Sequence, residues 1–349
     1  MKIVTIVGAR PQFVKAAVVS KAFANNRKDI TEIIVHTGQH FDANMSNVFF
    51  DELEIPNPNY NLNISSGTHG QNTGRMIEGI EKVLLEEKPS WVIVYGDTDS
   101  TLAGTIAAAK LHIPVAHIEA GLRSFNKRMP EEINRVLTDH ASTILFTPTE
   151  TAIQNLKNEG ISSEKIKLVG DVMYDATLYY ALKAKEIPNL NISSNFILTT
   201  IHRAENTNEP EKLKCIINAL NYIALNSSQV ILPLHPRTNA IIKNEDIDIS
   251  KLTIIDPVGY LEMLWLLKNC SAVITDSGGL QKEAFFFQKP CLTTRSETEW
   301  VELVNEGVNQ LVGANTNIII NAYNNIRFPS DTKLLYGAGN AADEIVNYF

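Results

Sequence analysis

The sequence predicts an α/β protein built on parallel β-sheets, and three observations support this class. Short apolar runs such as KIVTIV and WVIVY alternate along the chain with segments of helical length and period. These runs are almost continuously apolar, as expected of strands that are buried on both faces. The loops that follow them carry Gly, Pro and charged residues, and the carboxyl ends of parallel strands are where open α/β sheets bind ligands.

The predicted elements fall into two series, as the length of 349 residues suggests, since one hydrophobic core rarely grows so large. The strands of the first series are KIVTIVG, TEIIVHTG, WVIVYGDT, IPVAHIEAG, TILFTPT and IKLVG. Those of the second are FILTTIHRAEN, QVILPLHP, LTIIDPV, SAVITDSGG and PCLTTR. The polar stretch KAKEIPNLNISSNF between them is typical of a linker or an edge loop. Two similar halves predict a ligand-binding cleft between them.

Composition and charge argue against several classes of protein. The formal net charge of -8 and the pI of about 5.6 do not suit a nucleic-acid-binding surface, because phosphate backbones require a basic face. No apolar run approaches the length of a membrane span, and the N-terminal run is too short for a signal peptide. The scattered cysteines Cys215, Cys270 and Cys291 argue against a disulfide framework or a zinc site. We therefore expect a cytoplasmic protein with neither nucleic-acid nor membrane partners.

Two cations follow the first predicted strand. In VGARPQFVK, Arg10 stands at the end of the strand, and Pro11 suits the first turn of a helix. Lys15 comes about one helical turn later, on the side that faces Arg10. Two cations beside a helix N-terminus predict an anion-binding site, and the alternative is a surface pair near the start of a helix.

Carboxylates follow two further strands of the first half. Asp97 comes directly after WVIVYG, while Asp99 is placed better to cap the next helix, which would leave Asp97 free for another role. Glu119 stands at the end of IPVAHIE, and Gly121 allows the chain to leave sharply. Both strand ends are expected at the cleft, so Asp97 and Glu119 are candidates for its chemistry.

The segment PEEINRVL predicts a helix that begins at Pro130. Glu131 and Glu132 suit the positive end of the helix dipole, and Glu131 forms a favourable i,i+4 pair with Arg135. The buried stripe is expected to consist of Ile133, Val136 and Leu137. Neither glutamate lies on that stripe. The pattern therefore leaves open which of them, if either, has a role beyond a surface ion pair.

Two turns of the second half place a histidine and an arginine after equivalent strands. His202 and Arg203 lie in TTIHRAEN, and His235 and Arg237 lie in PLHPRT. A histidine at such a position suits an acid or a phosphate ligand, because its pKa is near neutral. A structural histidine is the alternative for each turn alone.

The segment VITDSGGLQKEA predicts a strand, a tight turn and a helix. Ser277, Gly278 and Gly279 expose backbone N–H groups at the helix N-terminus, so a pyrophosphate can approach closely. Glu283 comes one turn later and can accept hydrogen bonds from a ribose diol. The alternative is a simple glycine turn.

In chain order, the motifs GARPQFVK, HTGQH, GDT, EAGLR, PEEINR, HRAEN, HP and DSGGLQKEA resemble those of the non-hydrolysing UDP-N-acetylglucosamine 2-epimerase family. The resemblance covers nearly the whole chain and implies a GT-B fold with two Rossmann-like domains. The implied N-terminal domain consists of residues 1–170 and a returning helix at about 335–349. Residues 171–334 are the implied UDP-binding domain. The resemblance further implies a UDP-sugar as partner, a homodimer, and a reaction that needs no cofactor or metal.

Position by position, the resemblance implies roles for the residues at the strand ends. The implied catalytic residues are Asp97, Glu119, Glu131, Lys15 and His202. The implied UDP-binding residues are Arg10, His235, Ser277, Gly278, Gly279, Glu283 and Arg295, and His202 also matches a phosphate contact. Glu132 is expected to be dispensable.

The implied reaction inverts C2 of a UDP-2-acetamido sugar, such as UDP-GlcNAc to UDP-ManNAc, by elimination and re-addition of UDP. RSFNKRMPEE, RSETEWVE and HRAEN depart from the plain enzymes and resemble relatives that act on diacetamido-uronic acid or 6-deoxy sugars. Gln39 and His40 match only part of a turn that forms an allosteric site in the simpler enzymes. The alternatives are a UDP-dependent glycosyltransferase, a hydrolysing 2-epimerase and a nucleotide-sugar sensor. The three carboxylates favour the epimerase over the glycosyltransferase and the sensor.

Overall fold

The computed structural model describes residues 1–39, 53–54 and 57–349, and it describes Arg10 by its backbone alone. The chain divides into two compact units, Met1–Leu178 with Leu334–Phe349, and Tyr179–Lys333. Each unit contains a parallel sheet whose strands alternate with helices along the chain. The predicted α/β class is confirmed.

The first unit is built on a parallel sheet. Its strands are β1 (Lys2–Val7), β2 (Thr31–His36), β3 (Tyr60–Asn61), β4 (Trp91–Tyr95), β5 (Val115–Ile118), β6 (Ile144–Thr147) and β7 (Ile166–Leu168). Its helices are α1 (Arg10–Asn26), α2 (His69–Glu87), α3 (Asp99–Lys110), α4 (Pro130–Ala141) and α5 (Glu150–Asn158), and a 3-10 turn lies at Ser163–Lys165. Helix α6 (Val172–Ala181) crosses the boundary between the units.

The strand order of this sheet is β3-β2-β1-β4-β5-β6-β7 within the described residues. The order reverses beside β1, which pairs with β2 on one side and with β4 on the other. In parallel sheets such a reversal opens a crevice at the carboxyl ends of the strands, because the loops leave in opposite directions. The loops after β1, β4 and β5 therefore lie at the position that this topology favours for ligands.

One face of this sheet buries an apolar cluster under α2 and α3. The cluster includes Val4 and Val94 from the strands, Met76 and Ile80 from α2, and Ala103 from α3. These α2 residues recur at helical spacing, and their burial removes apolar surface worth about 1.5–3 kcal/mol for each large side chain. The packing holds the first turn of α3, and with it the loop after β4, in place.

The second unit repeats the same alternation. Its strands are β8 (Phe196–Thr200), β9 (Gln229–Pro233), β10 (Thr253–Ile255), β11 (Ala272–Thr275), β12 (Cys291–Thr293) and β13 (Asn309–Leu311), in the order β10-β9-β8-β11-β12-β13. Its helices are α7 (Ala204–Thr207), α8 (Pro210–Asn226), α9 (Pro236–Asn244), α10 (Tyr260–Asn269), α11 (Gly278–Phe286), α12 (Val301–Asn305) and α13 (Thr316–Asn325). No helix in the part of the chain that the structure describes is both long and apolar enough to cross a bilayer.

Two strands, β3 and β13, lie outside the strands that the sequence predicts. They contain two and three residues and end the strand orders of their sheets. Runs this short carry no measurable alternation of apolar and polar residues. Their conformation depends on pairing with β2 and β12, which is a contact between distant parts of the chain.

The C-terminal helix α14 (Ala341–Tyr348) belongs to the first unit. Asn26 donates a hydrogen bond to Asp343 at 2.7 Å. The ring of Phe349 lies 5.3 Å from that of Trp91, and the ring of Tyr348 lies 5.4 Å from that of Phe146. Aromatic contacts of this kind stabilise beyond the area they bury, so the last residues of the chain are anchored to the first sheet.

Asp175 on α6 connects to this helix and sets an expected pH dependence. Its Oδ2 accepts a hydrogen bond from the backbone N–H of Ala342 at 2.7 Å, and burial raises the pKa of Asp175 from 3.8 to about 6. Because the pKa is higher in the folded state, the contribution of Asp175 to stability is complete below about pH 4 and is lost as the pH rises through about 6. We expect Asp175→Asn, which cannot ionise, to raise the Tm near pH 8 and to have little effect near pH 4. Equal melting of both proteins at the higher pH would contradict this.

Candidate active site

Glu119, which directly follows β5, and Lys15, which lies in α1 after β1, form a buried ion pair. Their side chains are 7% and 9% exposed, although the two residues are 104 positions apart in the chain. Gly96, directly after β4, lies beside them. A Cβ added to Gly96 would stand 3.2 Å from Glu119 Oε2 and 3.3 Å from Lys15 Nζ. The ends of β4 and β5 and the helix α1 therefore bring a bare backbone position, a carboxylate and an ammonium group together.

The backbone at this point is unusual. Glu119 has a φ of 68°, in the left-handed region that residues with a Cβ seldom adopt. The conformation persists because hydrogen bonds surround it: Gly96 N–H donates to Ile118 O and Ala120 N–H donates to Phe146 O, both at 3.0 Å. Strain of this type costs about 1–3 kcal/mol and concentrates at functional sites. Glu119 is thus held in a fixed position at some cost in stability.

Asp97, after β4, pairs with Arg135 of α4. The prediction that Asp99 caps α3 is wrong. Thr98 is the N-cap, its hydroxyl accepts from Thr101 N–H, and Asp99 is the first residue of the helix. A hydroxyl one position earlier closes the turn equally well. Asp97 is nevertheless free of a capping role, and 31% of its side chain is exposed.

The predicted buried stripe of α4 is also wrong. Ile133 and Leu137 are each 48% exposed, whereas Glu132 and Arg135 are 3% and 4% exposed. Val136 is partly exposed. Charged groups can occupy a buried helix face when every charge has partners, and here they do.

Glu132 has four hydrogen-bond donors around its carboxylate. The N–H and the hydroxyl of Ser124 and the N–H of Phe125 donate to it at 2.9 Å, and Arg135 donates at 3.1 Å. The predicted pair between Glu131 and Arg135 does not form, because Arg135 pairs with Glu132 and Asp97 instead. Glu132 therefore holds the loop before α4, so the expectation that it is dispensable does not extend to the stability of the fold.

Glu131 lies in the first turn of α4 and is partly exposed. Its helix is tied to the loop after β4, since Asn134 Nδ2 donates to Asp97 O at 3.0 Å and Arg135 pairs with the Asp97 carboxylate. Burial thus distinguishes the two glutamates, which the helical period did not. The carboxylate of Glu132 is buried and hydrogen-bonded within the fold, whereas Glu131 remains accessible to a ligand.

A buried network of charged groups holds the chain just before and just after Glu119. His117 bonds to Asp139 through Nδ1 and to Gly96 O through Nε2, both at 2.7 Å. Asp139 also accepts from Gly121 N–H at 3.1 Å and from Arg123 at 2.7 Å. Burial alone would raise the pKa of Asp139, but the bonds from His117 and Arg123 outweigh it and lower that pKa. The sequence analysis did not predict this network. The signal that could have revealed it is a polar residue within an otherwise apolar pattern, as His117 is in β5.

The loop after β1 is closed by Gln12. Its Oε1 accepts from Gly8 N–H and Ala9 N–H at 2.8 and 3.0 Å, and its Nε2 donates to Tyr95 O at 2.8 Å. The backbone of Arg10 begins α1, but its side chain lies outside the described residues.

The turn HTGQH after β2 is described in part. Gln39 Oε1 accepts from the N–H and the hydroxyl of Ser100 at 3.0 and 2.6 Å. His40 lies outside the described residues. Gln39 thus contacts the first turn of α3.

In the second unit, the DSGG turn opens α11. Ser277 is the N-cap, and its hydroxyl accepts from Leu280 N–H at 3.5 Å. A Cβ added to Gly279 would meet no described atom within 4 Å, so the first turn of the helix is open there. Glu283 lies one turn further and is 7% exposed. Backbone N–H groups at the N-terminus of a helix suit an anion.

His202 follows β8 beside this turn. The backbone N–H groups of His202 and Arg203 donate to the fully buried Asp276 at 3.1 and 3.0 Å. Desolvation lowers the pKa of His202, which Asp276 partly opposes, so the imidazole is neutral at neutral pH. The exposed His235 is the N-cap of α9 and accepts from Arg237 N–H at 3.2 Å. The turns after β8 and β9 therefore each place an imidazole group at this edge of the sheet.

Arg295 is 3% exposed and pairs with two carboxylates. Its Nε donates to Glu205 at 3.0 Å and its Nη1 to Glu299 at 3.1 Å. The candidate residues did not include Asp276, Arg203 or Glu299, although each stands in a motif, DSGG, HRAEN or RSETEW, that the sequence singled out. Their roles depend on contacts that sequence spacing does not reveal.

Comparisons with known proteins identify the family of this chain. The UDP-N-acetylglucosamine 2-epimerase family profile matches residues 22–349. The UDP-2,3-diacetamido-2,3-dideoxy-D-glucuronate 2-epimerase of Pseudomonas aeruginosa is 57% identical to this chain and covers 100% of it and 99% of its own length. A UDP-N-acetylglucosamine 2-epimerase homolog of Methanococcus maripaludis is 55% identical, with 99% and 98% covered.

Solved structures show the same relationship. The Methanocaldococcus jannaschii UDP-GlcNAc 2-epimerase in complex with UDP-GlcNAc and UDP has a TM-score of 0.90 at 44% identity, covering 100% of this chain and 99% of that one. The Neisseria meningitidis UDP-GlcNAc 2-epimerase bound to UDP-GlcNAc has a TM-score of 0.91 at 33% identity, with the same coverage. These matches confirm the predicted GT-B fold and the isomerase class. The chain belongs to the UDP-N-acetylglucosamine 2-epimerase family.

Proposed function

We propose that this enzyme inverts C2 of a UDP-2-acetamido sugar without hydrolysing it, by elimination and re-addition of UDP. The observation that carries the proposal is the buried pair of Glu119 and Lys15, with the Asp97–Arg135 pair on the neighbouring strand end. Carboxylates held in this way suit proton transfer at carbon, since their positions are set by fixed cations. Membership of an epimerase family supports the same chemistry.

The chemistry requires the bond to UDP to break. The C2 proton is not acidic while UDP remains on C1. As the C1–O bond breaks and UDP leaves with its electron pair, positive character at C1 makes that proton removable by a carboxylate. The C2–H electrons form a C1–C2 double bond. Protonation of C2 on the opposite face and attack of a UDP oxygen on C1 then give the epimer.

We assign proton transfer to Glu119 and Glu131, because inversion needs acid/base groups that serve both faces of C2. Lys15 holds the carboxylate of Glu119 in place through their ion pair. Asp97, fixed by Arg135, is the third carboxylate of the set. All these residues belong to the first unit.

We assign nucleotide binding to the second unit. The N–H groups of Ser277, Gly278 and Gly279 receive the diphosphate at the N-terminus of α11, and Glu283 receives the ribose hydroxyls. His202 and His235 offer N–H donors to the phosphates, and the side chain of Arg10 from the first unit is proposed for the same ligand. Arg295 acts indirectly, since its guanidinium is buried against Glu205 and Glu299.

The proposed substrate class is the one that the named relatives share. The Pseudomonas aeruginosa enzyme is named for a diacetamido uronic acid and the Methanocaldococcus jannaschii enzyme for UDP-GlcNAc, and both sugars are UDP-linked 2-acetamido sugars. We further propose that the enzyme acts in the cytoplasm and that it is a homodimer. Sedimentation velocity tests the oligomeric state. A monomer at assay concentrations would contradict the dimer.

Proton NMR of UDP-sugars incubated with the enzyme in D2O tests the reaction. UDP-GlcNAc, its 6-deoxy relative and the diacetamido uronate are compared. We expect the C2 epimer of at least one sugar, with deuterium at C2 of both epimers. Accumulation of free UDP and reducing sugar would instead favour a hydrolysing epimerase. Recovery of unlabelled substrate from every sugar that binds would contradict the proposal.

The two glutamates of α4 provide a matched pair of variants. Glu131→Gln is expected to lower kcat by about a hundredfold or more without changing the Tm, because the Glu131 side chain is partly exposed and Arg135 pairs with other groups. Glu132→Gln is expected to lower the free energy of unfolding by about 2–4 kcal/mol, because it disturbs four hydrogen bonds in a buried site. kcat and thermal melting are measured on the same samples. Full activity of Glu131→Gln would exclude it from proton transfer.

A further inference from the structure

A carboxylate lies directly against the proposed diphosphate site. A Cβ added to Gly278 would stand 2.3 Å from Oε1 of Glu299 and 3.4 Å from its Cδ. The Glu299 side chain is 9% exposed. Its carboxylate therefore covers the backbone position where a phosphate must approach the first turn of α11.

Glu299 is held there by its surroundings. Arg295 donates to Glu299 Oε2 at 3.1 Å, and the Arg295 side chain is 2% exposed. On either side of Glu299, Thr298 donates to Gln281 of α11 at 2.8 Å, and the ring of Trp300 lies 4.0 Å from Nζ of Lys282. These contacts fix the segment from Arg295 to Trp300 on α11, so the position of the carboxylate is set by buried neighbours.

The charges at this point favour an anion. Nη2 of Arg203 would stand 3.7 Å from the Cβ added to Gly278. The N-terminus of α11 adds the positive end of a helix dipole. In the unliganded protein, Glu299 supplies a negative charge to these groups. A diphosphate that binds the same N–H groups must displace that carboxylate or lie beside a like charge, and both outcomes weaken its binding.

We propose that Glu299 is an internal competitor of the nucleotide diphosphate, which lowers the affinity of the α11 site for UDP. The inference rests on the proposed nucleotide site and adds a residue that tunes it. An enzyme that eliminates and re-adds UDP has to hold the free diphosphate during turnover and still release the product. A carboxylate poised to return to Gly278 limits how tightly the diphosphate is held, without altering the recognition of uridine.

Calorimetric titration of Glu299→Gln with UDP and with uridine tests this. We expect the variant to bind UDP about tenfold more tightly than the wild type, a change of about 1.4 kcal/mol, and to bind uridine equally well. The gain should shrink at high salt, because screening weakens the repulsion. The fold is expected to persist, since Arg295 keeps its bond to Glu205. Glu299→Ala is the second variant and should show the same direction.

Glu245→Gln is the matched control. Glu245 is an exposed carboxylate that follows the C-terminal end of α9, so it lies on the opposite edge of the same sheet from the DSGG turn. The control removes one negative charge and should leave UDP affinity unchanged. Equal or weaker UDP binding by both Glu299 variants would overturn the inference, as would an equal gain in the control. Failure of the wild type to bind UDP at all would instead refute the proposed nucleotide site, and the inference with it.

Discussion

Glu119→Gln is expected to lower kcat by about a hundredfold to ten-thousandfold, the usual contribution of a general acid or base. The amide keeps the size of the side chain and still accepts a hydrogen bond from Lys15, but it cannot take a proton from carbon. Since the left-handed backbone at Glu119 is held by neighbouring strands, the fold should persist. UDP binding should also persist, because its proposed site lies in the second unit. kcat, Tm and the Kd for UDP are measured on the same preparation.

Glu164→Gln is the control for this variant. Glu164 is exposed in the 3-10 turn before β7, in the same unit but away from the carboxyl ends of the strands. It should retain wild-type turnover. If Glu119→Gln retained most of its turnover as well, the pair with Lys15 would be a structural ion pair and proton transfer would have to be assigned elsewhere.

Asp139→Asn is expected to lower the free energy of unfolding by about 3–5 kcal/mol, the usual cost of breaking a buried charge pair. Asp139 is fully buried and neutralises Arg123 while holding His117 and Gly121 N–H. Asparagine would leave the Arg123 charge without this partner and would turn an N–H group toward other donors. Urea unfolding measures the change, and an unaltered m value would locate the effect in the native state.

Asp29→Asn is the exposed counterpart. Asp29 pairs with Arg27 at 2.8 Å, and 63% of its side chain is exposed, so water can replace the lost contact. The loss in free energy of unfolding caused by Asp139→Asn should become smaller at acid pH. The pKa of Asp139 is lowered in the folded state, so its stabilising contribution is present above its unfolded pKa and is lost as the pH falls through the folded value. Similar stability losses in the two variants would show that the buried network contributes no more than a surface pair.

Much of the fold follows from local pattern. Apolar runs such as WVIVY and AVIT identify strands because both faces of a central parallel strand are buried, and the helices between them carry their own period and caps. Strands β3 and β13 do not follow in this way. A strand of two or three residues is stabilised by hydrogen bonds to its neighbour, and no signal of that pairing exists in the run itself.

For the candidate site, the sequence predicted which loops carry it but not which contacts its residues make. Asp97 and Glu119 stand at strand ends, where the rule for parallel sheets places ligands. The choice between Glu131 and Glu132 was not predictable. The helical period identifies a buried face from its apolar residues, but the buried face of α4 carries charged residues. Glu132 can be buried there because Ser124 and Phe125 of the preceding loop donate N–H groups to it.

By itself, the sequence determined the α/β class, the family and the residues that stand at the ends of the strands, since each of these depends on local motifs. The tertiary structure alone decided the partners: Lys15 for Glu119, Arg135 for Asp97, and Glu299 over Gly278. The physical reason is that a buried charge requires a counter-charge or hydrogen-bond donors. Which group supplies them depends on the order of strands in the sheet, where β1 and β4 are neighbours although 83 residues separate the end of one from the start of the other.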